Sequence, residues 1–266
     1  MGHGKLRKFA ENATFGCLVQ PFSEEVIESG EHGLVLRDYS LKGHWNEKMF
    51  DAPRPIVLEL GCGRGEYTID LAQRNPACNY IGVDIKGARL WRGAKYAHEH
   101  EMGNVAFLRT RIEFIEAFFA PGEISEIWLT FSDPQLKSEN SRLTCPRFLE
   151  RYRKFLAPGG VVHLKTDSMF LHQYSKAVAQ ANGLEILRCT EDLYGSTPRF
   201  DEPALYEVQT YYERMFLQMG LKITYLSYRI DHEGPYAAPE FDAQKWRALE
   251  GPRRTFDHQP ASNKVQ

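Results

Sequence analysis

An α/β fold with a doubly wound, mostly parallel, seven-stranded sheet is predicted by three features of the 266-residue chain. Short apolar runs recur at residues 56–60, 80–83, 105–108, 127–131 and 161–164. Helical patterns fill the gaps between them. A glycine-rich turn, Gly61-Cys62-Gly63-Arg64-Gly65, joins the first run to the first helical stretch. Strand and helix alternating at this spacing build a parallel sheet, and a glycine turn after its first strand opens a nucleotide-binding unit.

In chain order, residues 1–20 carry Lys5, Arg7 and Lys8 before Phe9 and Phe15. This reads either as a solvated terminus or as a basic arm suited to gripping a phosphate backbone. Residues 21–54, with His44-Trp45, Pro53 and Pro55, read as a lead-in helix and loops over one sheet edge. The helix after the glycine turn spans residues 66–74 and stops at Asn75-Pro76. A long helix over 86–102 follows the second strand. A short one over 112–119 follows the third and stops at Pro121-Gly122. The fourth strand leads to Ser132-Asp133-Pro134 and then a helix over 145–156, ended by Pro158-Gly159-Gly160. Ser168 opens a helix running to Asn182-Gly183. Two late strands, 184–189 and 222–229, are expected as an antiparallel pair split by a helix over 206–219. The reading is therefore an N-terminal extension (1–50), a central domain (51–230) and an irregular C-terminal tail (231–266).

Composition bounds the function. The hydrophobic fraction of 42% and charged fraction of 26% are those of a globular protein. No apolar run approaches the roughly 18 residues that span a bilayer, and no signal-peptide core opens the chain. No membrane role and a cytoplasmic location are expected. Five scattered cysteines (Cys17, Cys62, Cys78, Cys145, Cys189) form no CxxC pair, so neither a zinc site nor a disulfide framework is expected, and no metal. The net charge of −2 means that any nucleic-acid binding must rest on local patches. Monomer and homodimer both stay open.

The glycine turn narrows the ligand. The second apolar run, Tyr80-Ile81-Gly82-Val83, ends in Asp84, about 20 residues past the turn, where such folds set an acid against a ribose. A dinucleotide fingerprint places Gly or Ala three positions after its second glycine; here that position is Glu66, which would crowd the turn and repel a pyrophosphate. The pattern Glu59-x-Gly61-x-Gly63-x-Gly65 suits S-adenosylmethionine (SAM) better. SAM carries no phosphate, and acids such as Glu59 can face its ammonium and sulfonium cations. Ligands of such sheets bind beyond the carboxyl ends of the strands. Acids sit at or just past four of those ends: Glu59, Asp84, Asp133 and Asp167. Asp133 before Pro134 is also an ordinary turn residue.

Four stretches in order then carry a resemblance: Phe131-Ser132-Asp133-Pro134-x-x-Lys137, Arg142-Leu143-Thr144, Lys165-Thr166-Asp167 and Thr210-Tyr211-Tyr212-Glu213. With the glycine turn, residues 54–228 resemble the tRNA (guanine-N7)-methyltransferase family of class I SAM-dependent methyltransferases. The resemblance implies a Rossmann-like fold, SAM as cofactor and tRNA as substrate, with N7-methylguanine formed in the variable loop. It implies that Glu59, Gly61, Gly63, Asp84, Arg111, Ile112 and Asp133 hold SAM and that Asp133 is catalytic. Lys137, Asp167, Thr210 and Glu213 would hold the tRNA substrate. The chain departs from the family pattern at Gln135-Leu136, where Trp-Pro is usual. It departs also at Ser138-Glu139-Asn140-Ser141, usually basic, and at Arg111, where an acid is frequent. Two other readings stand beside this one: a SAM methyltransferase acting on another RNA, a small molecule or a protein, and a non-catalytic tRNA-binding subunit.

The remaining features are expected to be structural. Trp128 and Phe131 read as core and Cys62 as a small filler without a base. His98 and His100, two residues apart on one helix, share no face for a metal and read as solvated. Tyr211-Tyr212 reads equally as helix packing or as part of the site.

Overall fold

The computed structural model describes residues 3–30 and 33–250. Ten strands are present among them: β1 (Leu18–Val19), β2 (Ile27–Gly30), β3 (Gly33–Leu36), β4 (Ile56–Leu60), β5 (Asn79–Asp84), β6 (Val105–Arg109), β7 (Ile124–Thr130), β8 (Leu156–Thr166), β9 (Ile186–Thr190) and β10 (Thr224–Arg229). The helices are α1 (His3–Asn12), α2 (Trp45–Lys48), α3 (Glu66–Arg74), α4 (Gly87–Glu99), α5 (Pro146–Tyr152), α6 (Met169–Ala181), α7 (Ala204–Glu207), α8 (Tyr211–Gln218) and α9 (Ala243–Leu249).

The main sheet has the order β1-β6-β5-β4-β7-β8-β10-β9. All neighbours run parallel except β10, which is antiparallel to both β8 and β9. From β4 the chain moves outward through β5 and β6, then returns to β7 on the other side of β4. That reversal is where such sheets bind ligands. The turn after β4 and the Asp133 loop after β7 both leave from it.

The alternation of side chains across a strand explains the two packed layers. Leu58, Ile81, Leu108, Ile127, Leu164 and Leu226 face α5 and α6 in one buried layer. Val57, Tyr80, Phe107, Trp128 and Tyr225 face α3 and α4 in the other. Trp128 is core, as expected, with its indole stacked on His163 at 4.1 Å.

Several sequence expectations are corrected. The main sheet has eight strands among the described residues, not seven, because β1 pairs in parallel with β6. Two residues carry no readable periodicity; tertiary pairing alone makes them a strand. The N-terminal basic segment is the helix α1, docked on α4: Asn12 Nδ2 donates to the Gly87 carbonyl at 2.9 Å, and Trp91 Nε1 donates to Glu11 at 2.6 Å. Residues 21–54 hold the small β2–β3 hairpin and only a four-residue helix. The helix expected over 112–119 is a 3₁₀ segment, Ile112–Ala117, and the one expected over 145–156 ends at Tyr152. Pro158-Gly159-Gly160 lies within β8, an 11-residue strand whose register against β7 shifts between Ile124 and Glu126; the shift accommodates turn residues inside a strand. The tail is not wholly irregular, since α9 forms with Asp242 as its N-cap. Residues 251–266, also assigned to the tail, lie outside the described residues.

Packing at Phe107 fixes how closely the helices approach the sheet. An added Cβ at Gly65, Gly82 or Gly93 would stand 2.5, 2.8 or 2.6 Å from the Phe107 ring. Gly65 also has φ of +72°. Gly65→Ala therefore combines an overpacked contact with a left-handed backbone. It is expected to destabilise by about 2–4 kcal/mol, read as a lower denaturation midpoint; an unchanged midpoint would refute this packing role.

His172 on α6 is fully buried. Burial pushes its imidazole down to about 4 from an ordinary 6.5, with Glu191 opposing and Lys176 assisting that shift. Between pH 6.5 and 4 the unfolded chain takes up a proton that the folded chain refuses. This contribution is constant above 6.5, and stability falls as pH drops through that window, by about 3 kcal/mol at its lower end. His172→Leu should flatten the fall in chemical-denaturation midpoints between pH 7 and 4.5. An equally steep fall would show that other groups carry it.

Candidate active site

Two acids stand by the glycine turn, and one of them, Asp84, bonds it directly. Glu59 points to the α3 face of the sheet and is buried. Its carboxylate accepts from Thr68 Oγ1 and Thr130 Oγ1, both at 2.5 Å. Burial raises its pKa, and these hydroxyl bonds oppose the rise. Thr68 and Thr130 were not singled out by sequence; only their contact with Glu59 reveals them. Asp84 ends β5 and accepts from the Gly63 N–H at 3.0 Å and the Lys86 N–H at 2.7 Å. The Gly61 and Cys62 N–H groups donate to the Val83 carbonyl. The turn thus rests on β5 through backbone and carboxylate together.

Gly61 and Gly63 differ from Gly65. Both have positive φ, +80° and +58°, yet a Cβ on either would meet nothing within 4 Å. Their bare backbone faces open space, which suits close approach by a ligand. Beside them is a cleft of about 380 Å³ lined by Gly61, Asp84, Thr110, Arg111, Ile112 and Leu143, among others. That volume falls in the range of about 300–1,000 Å³ usual for ligand sites. Four of the seven residues expected to hold SAM (Gly61, Asp84, Arg111 and Ile112) line this one cleft. Arg111 is exposed, with its guanidinium 3.5 Å from Glu113.

Asp133 does not line the cleft; it stands exposed on the next loop. Its Oδ1 accepts from the Gln135 N–H at 2.9 Å. Phe131 and Gln135, on either side, have φ of +50° and +48°. Left-handed backbone at two bulky residues around one acid is costly and tends to mark functional loops. Lys137 is also exposed. The segment that follows forms a 3₁₀ turn, Glu139–Ser141.

The expected substrate residues fall into two groups. Asp167 is half-buried at the carboxyl end of β8, and Thr210 caps α8 by accepting from the Glu213 N–H at 3.1 Å. The start of α8 leans on the glycine turn: the Tyr211 N–H donates to Glu66 at 2.9 Å, and the Arg64 guanidinium lies 5.5 Å from the Tyr211 ring. Tyr211 is half-exposed, with its ring edge-on to Tyr212 at 5.7 Å. Glu213 is placed otherwise than expected. Its side chain is fully buried, where it meets Lys165 Nζ at 2.7 Å and accepts from Tyr194 OH at 2.7 Å. Lys165 Nζ also donates to the Leu205 and Val208 carbonyls at 2.7 and 3.1 Å. Burial raises the Glu213 pKa and lowers that of Lys165, and each partner opposes the other's shift. In this arrangement Glu213 anchors α8 to β8 and presents no oxygen to solvent. The resemblance implies a substrate contact for Glu213; only the fold shows that it turns inward.

Cys62 is buried and its thiol pKa is pushed well above the ordinary value by that burial, consistent with a filler. Among the described residues, no group of three or more His, Cys, Asp or Glu could hold a metal ion.

The sheet order, the switch-point turn with its acid-backed glycines and the adjoining cleft define a methyltransferase-type α/β domain. The family model described as "Putative methyltransferase" matches residues 53–226. The chain belongs to the tRNA (guanine-N7)-methyltransferase family. It is 47% identical over 244 residues to a tRNA (guanine-N(7)-)-methyltransferase of Bacteroides thetaiotaomicron, covering 92% of each chain. It is also 47% identical over 238 residues to the enzyme of that name from Porphyromonas gingivalis, covering 88% of this chain and 94% of the relative. The crystal structure of the 16S rRNA methyltransferase KamB shares the fold, with a TM-score of 0.50 at 15% identity over 76% of this chain and 98% of that one.

Proposed function

We propose that this chain uses SAM to methylate N7 of guanine in tRNA, at the variable-loop guanine. The observation that carries the reading is the meeting, at one switch point, of the open-faced Gly61 and Gly63, Asp84 and the Asp133 loop, in a chain of this family. The residues present fit SAM. The cleft adjoins glycines with nothing within 4 Å of their Cβ positions, and Asp84 has acceptor capacity beyond its two backbone bonds. When bound, SAM supplies a methyl group on a positively charged sulfur.

Gly61, Gly63, Asp84, Arg111 and Ile112 would hold it, and the buried Glu59 would supply negative charge beneath the turn. Guanine N7 already bears an exposed lone pair, so no base has to remove a proton. The N7 lone pair forms the new N–C bond while the C–S bonding pair stays on sulfur, and positive charge passes to the guanine ring. Alignment is the main task. The Asp133 carboxylate is suited to stabilising the cationic base as it forms. Lys137, Asp167 and Thr210 are assigned to the tRNA side, with Glu213 acting from behind as the anchor of α8. A basic side chain on the N7/O6 edge would block the reacting atom; acids are better placed on the opposite N–H edge. Among the described residues no helix is long and apolar enough to cross a membrane, and the reading places the enzyme in the cytoplasm with its substrate.

Unmodified tRNA transcripts test the assignment of the acceptor. Labelled methyl from SAM should enter a transcript with guanine in the variable loop and not the same transcript with adenine there. Equal incorporation into both would refute that position.

A further inference from the structure

Of the Arg142-Leu143-Thr144 stretch only Leu143 lines the cleft; Arg142 has had no part so far, yet it is bound to the Asp133 loop. Arg142 is buried at 3% exposure. Its guanidinium lies 4.3 Å from the Tyr174 ring and 4.8 Å from the Phe170 ring, both on α6. From there Nε donates to the Gln135 carbonyl at 3.3 Å. Gln135 is the left-handed residue whose N–H holds Asp133 Oδ1. One side chain thus connects a helix of the core to the carbonyl of Gln135, the residue whose own N–H bonds the acid. The rest of the stretch is fixed as firmly. The Leu143 carbonyl accepts from Tyr152 OH at 2.9 Å, and Thr144 Oγ1 accepts from Ser175 Oγ at 2.7 Å. Tyr174 OH reaches onward to Glu139 at 2.8 Å.

We propose that Arg142 is a positioning residue for methyl transfer: clamped between Phe170 and Tyr174, it holds Gln135 in its left-handed conformation and so fixes the direction of the Asp133 carboxylate. The proposal rests on the reading of Asp133 given above. An arginine suits this place because its planar cation stacks on aromatic faces while keeping an N–H free to donate along its edge. A left-handed Gln carries a steric cost that surrounding contacts must outweigh, and the Arg142 bond is one such contact. Gln135 and Leu136, where Trp-Pro is usual in the family pattern, put no aromatic at this point of the loop, and Arg142, held against α6, supports it.

Arg142→Met keeps bulk between the rings and removes the donor. In a folded variant, SAM affinity and the KM for tRNA should stay within about three-fold of wild type. The kcat should fall about 100-fold, the effect of a misplacement of roughly 1 Å. Hydrogen exchange of the Gln135 amide should quicken in the same variant with no ligand present. Adding Gln135→Asn, which favours left-handed backbone, should recover several-fold of the lost kcat. A kcat within three-fold of wild type would overturn the proposal, as would unchanged exchange at Gln135 or a double variant no better than the single. If Arg142→Met does not fold, Arg142→Lys carries the same test, since lysine keeps charge between the rings without the fork. The exchange readout needs no acceptor. Wild-type protein that fails to methylate tRNA would therefore refute the function, while the role of Arg142 in the loop would still be decided by exchange.

Discussion

Asp133→Asn lowers methyl transfer to tRNA by about 10²–10³-fold while SAM affinity stays within a few-fold of wild type. The expectation follows from position. Asp133 is exposed on the loop leaving β7, outside the cleft lined by Gly61, Asp84, Arg111 and Ile112. The substitution keeps the shape and the oxygen that accepts from Gln135 but removes the negative charge. If that charge stabilises the methylated, cationic guanine, its loss costs what a single preorganised electrostatic contact usually contributes, about 3–4 kcal/mol in the barrier. Rapid-quench measurement of the chemical step, with SAM affinity by calorimetry, separates the two effects. A variant whose SAM affinity collapses in parallel with its rate would place Asp133 in cofactor binding alone.

The second large effect is on stability. Lys165→Met leaves Glu213 as a buried carboxylate without its cation. Removing one partner of a buried pair costs about 3–5 kcal/mol, and here two further carbonyls, of Leu205 and Val208, lose their donor. For a chain of this size, that corresponds to a drop in Tm of about 10 °C or more. The double variant Lys165→Met with Glu213→Leu should recover most of the loss, because two apolar groups of similar volume need no partner. Additive losses in the double variant would show that the pair is not the coupled anchor described. Because the pair ties β8, which leads into Asp167, to α8, which begins after Thr210, the single variant should also raise the KM for tRNA more than it weakens SAM binding.

Much of this was legible in the residues. The central parallel strands and the antiparallel close of the sheet could be read because their apolar runs are bounded by glycine, proline or acid. The edge strand Leu18–Val19 could not, since two residues hold no period and the pairing with β6 comes from tertiary contact. Pro158-Gly159-Gly160 misled for a physical reason: turn residues usually end elements, but β8 absorbs them with a shift of register. At the site, the glycine turn and the spacing after it located Gly61 and Asp84, and the family resemblance implied Arg111 and Ile112; the fold gathers all four in one cleft. Spacing could not tell which acids face solvent. Glu59 and Asp133 both follow apolar runs, yet one is buried between two threonines and the other is exposed. Thr130 gave no signal, and Arg142 and Lys165 stood out only as parts of motifs; their roles depend on partners distant in sequence.

The most direct measurement is nucleoside analysis of unmodified tRNA incubated with the purified chain and SAM. N7-methylguanosine from wild type, absent without SAM and reduced about 100-fold or more with Asp133→Asn, is the expected result. Tight SAM binding with no N7-methylguanosine in tRNA would contradict the proposed function while leaving the fold and the cleft as described.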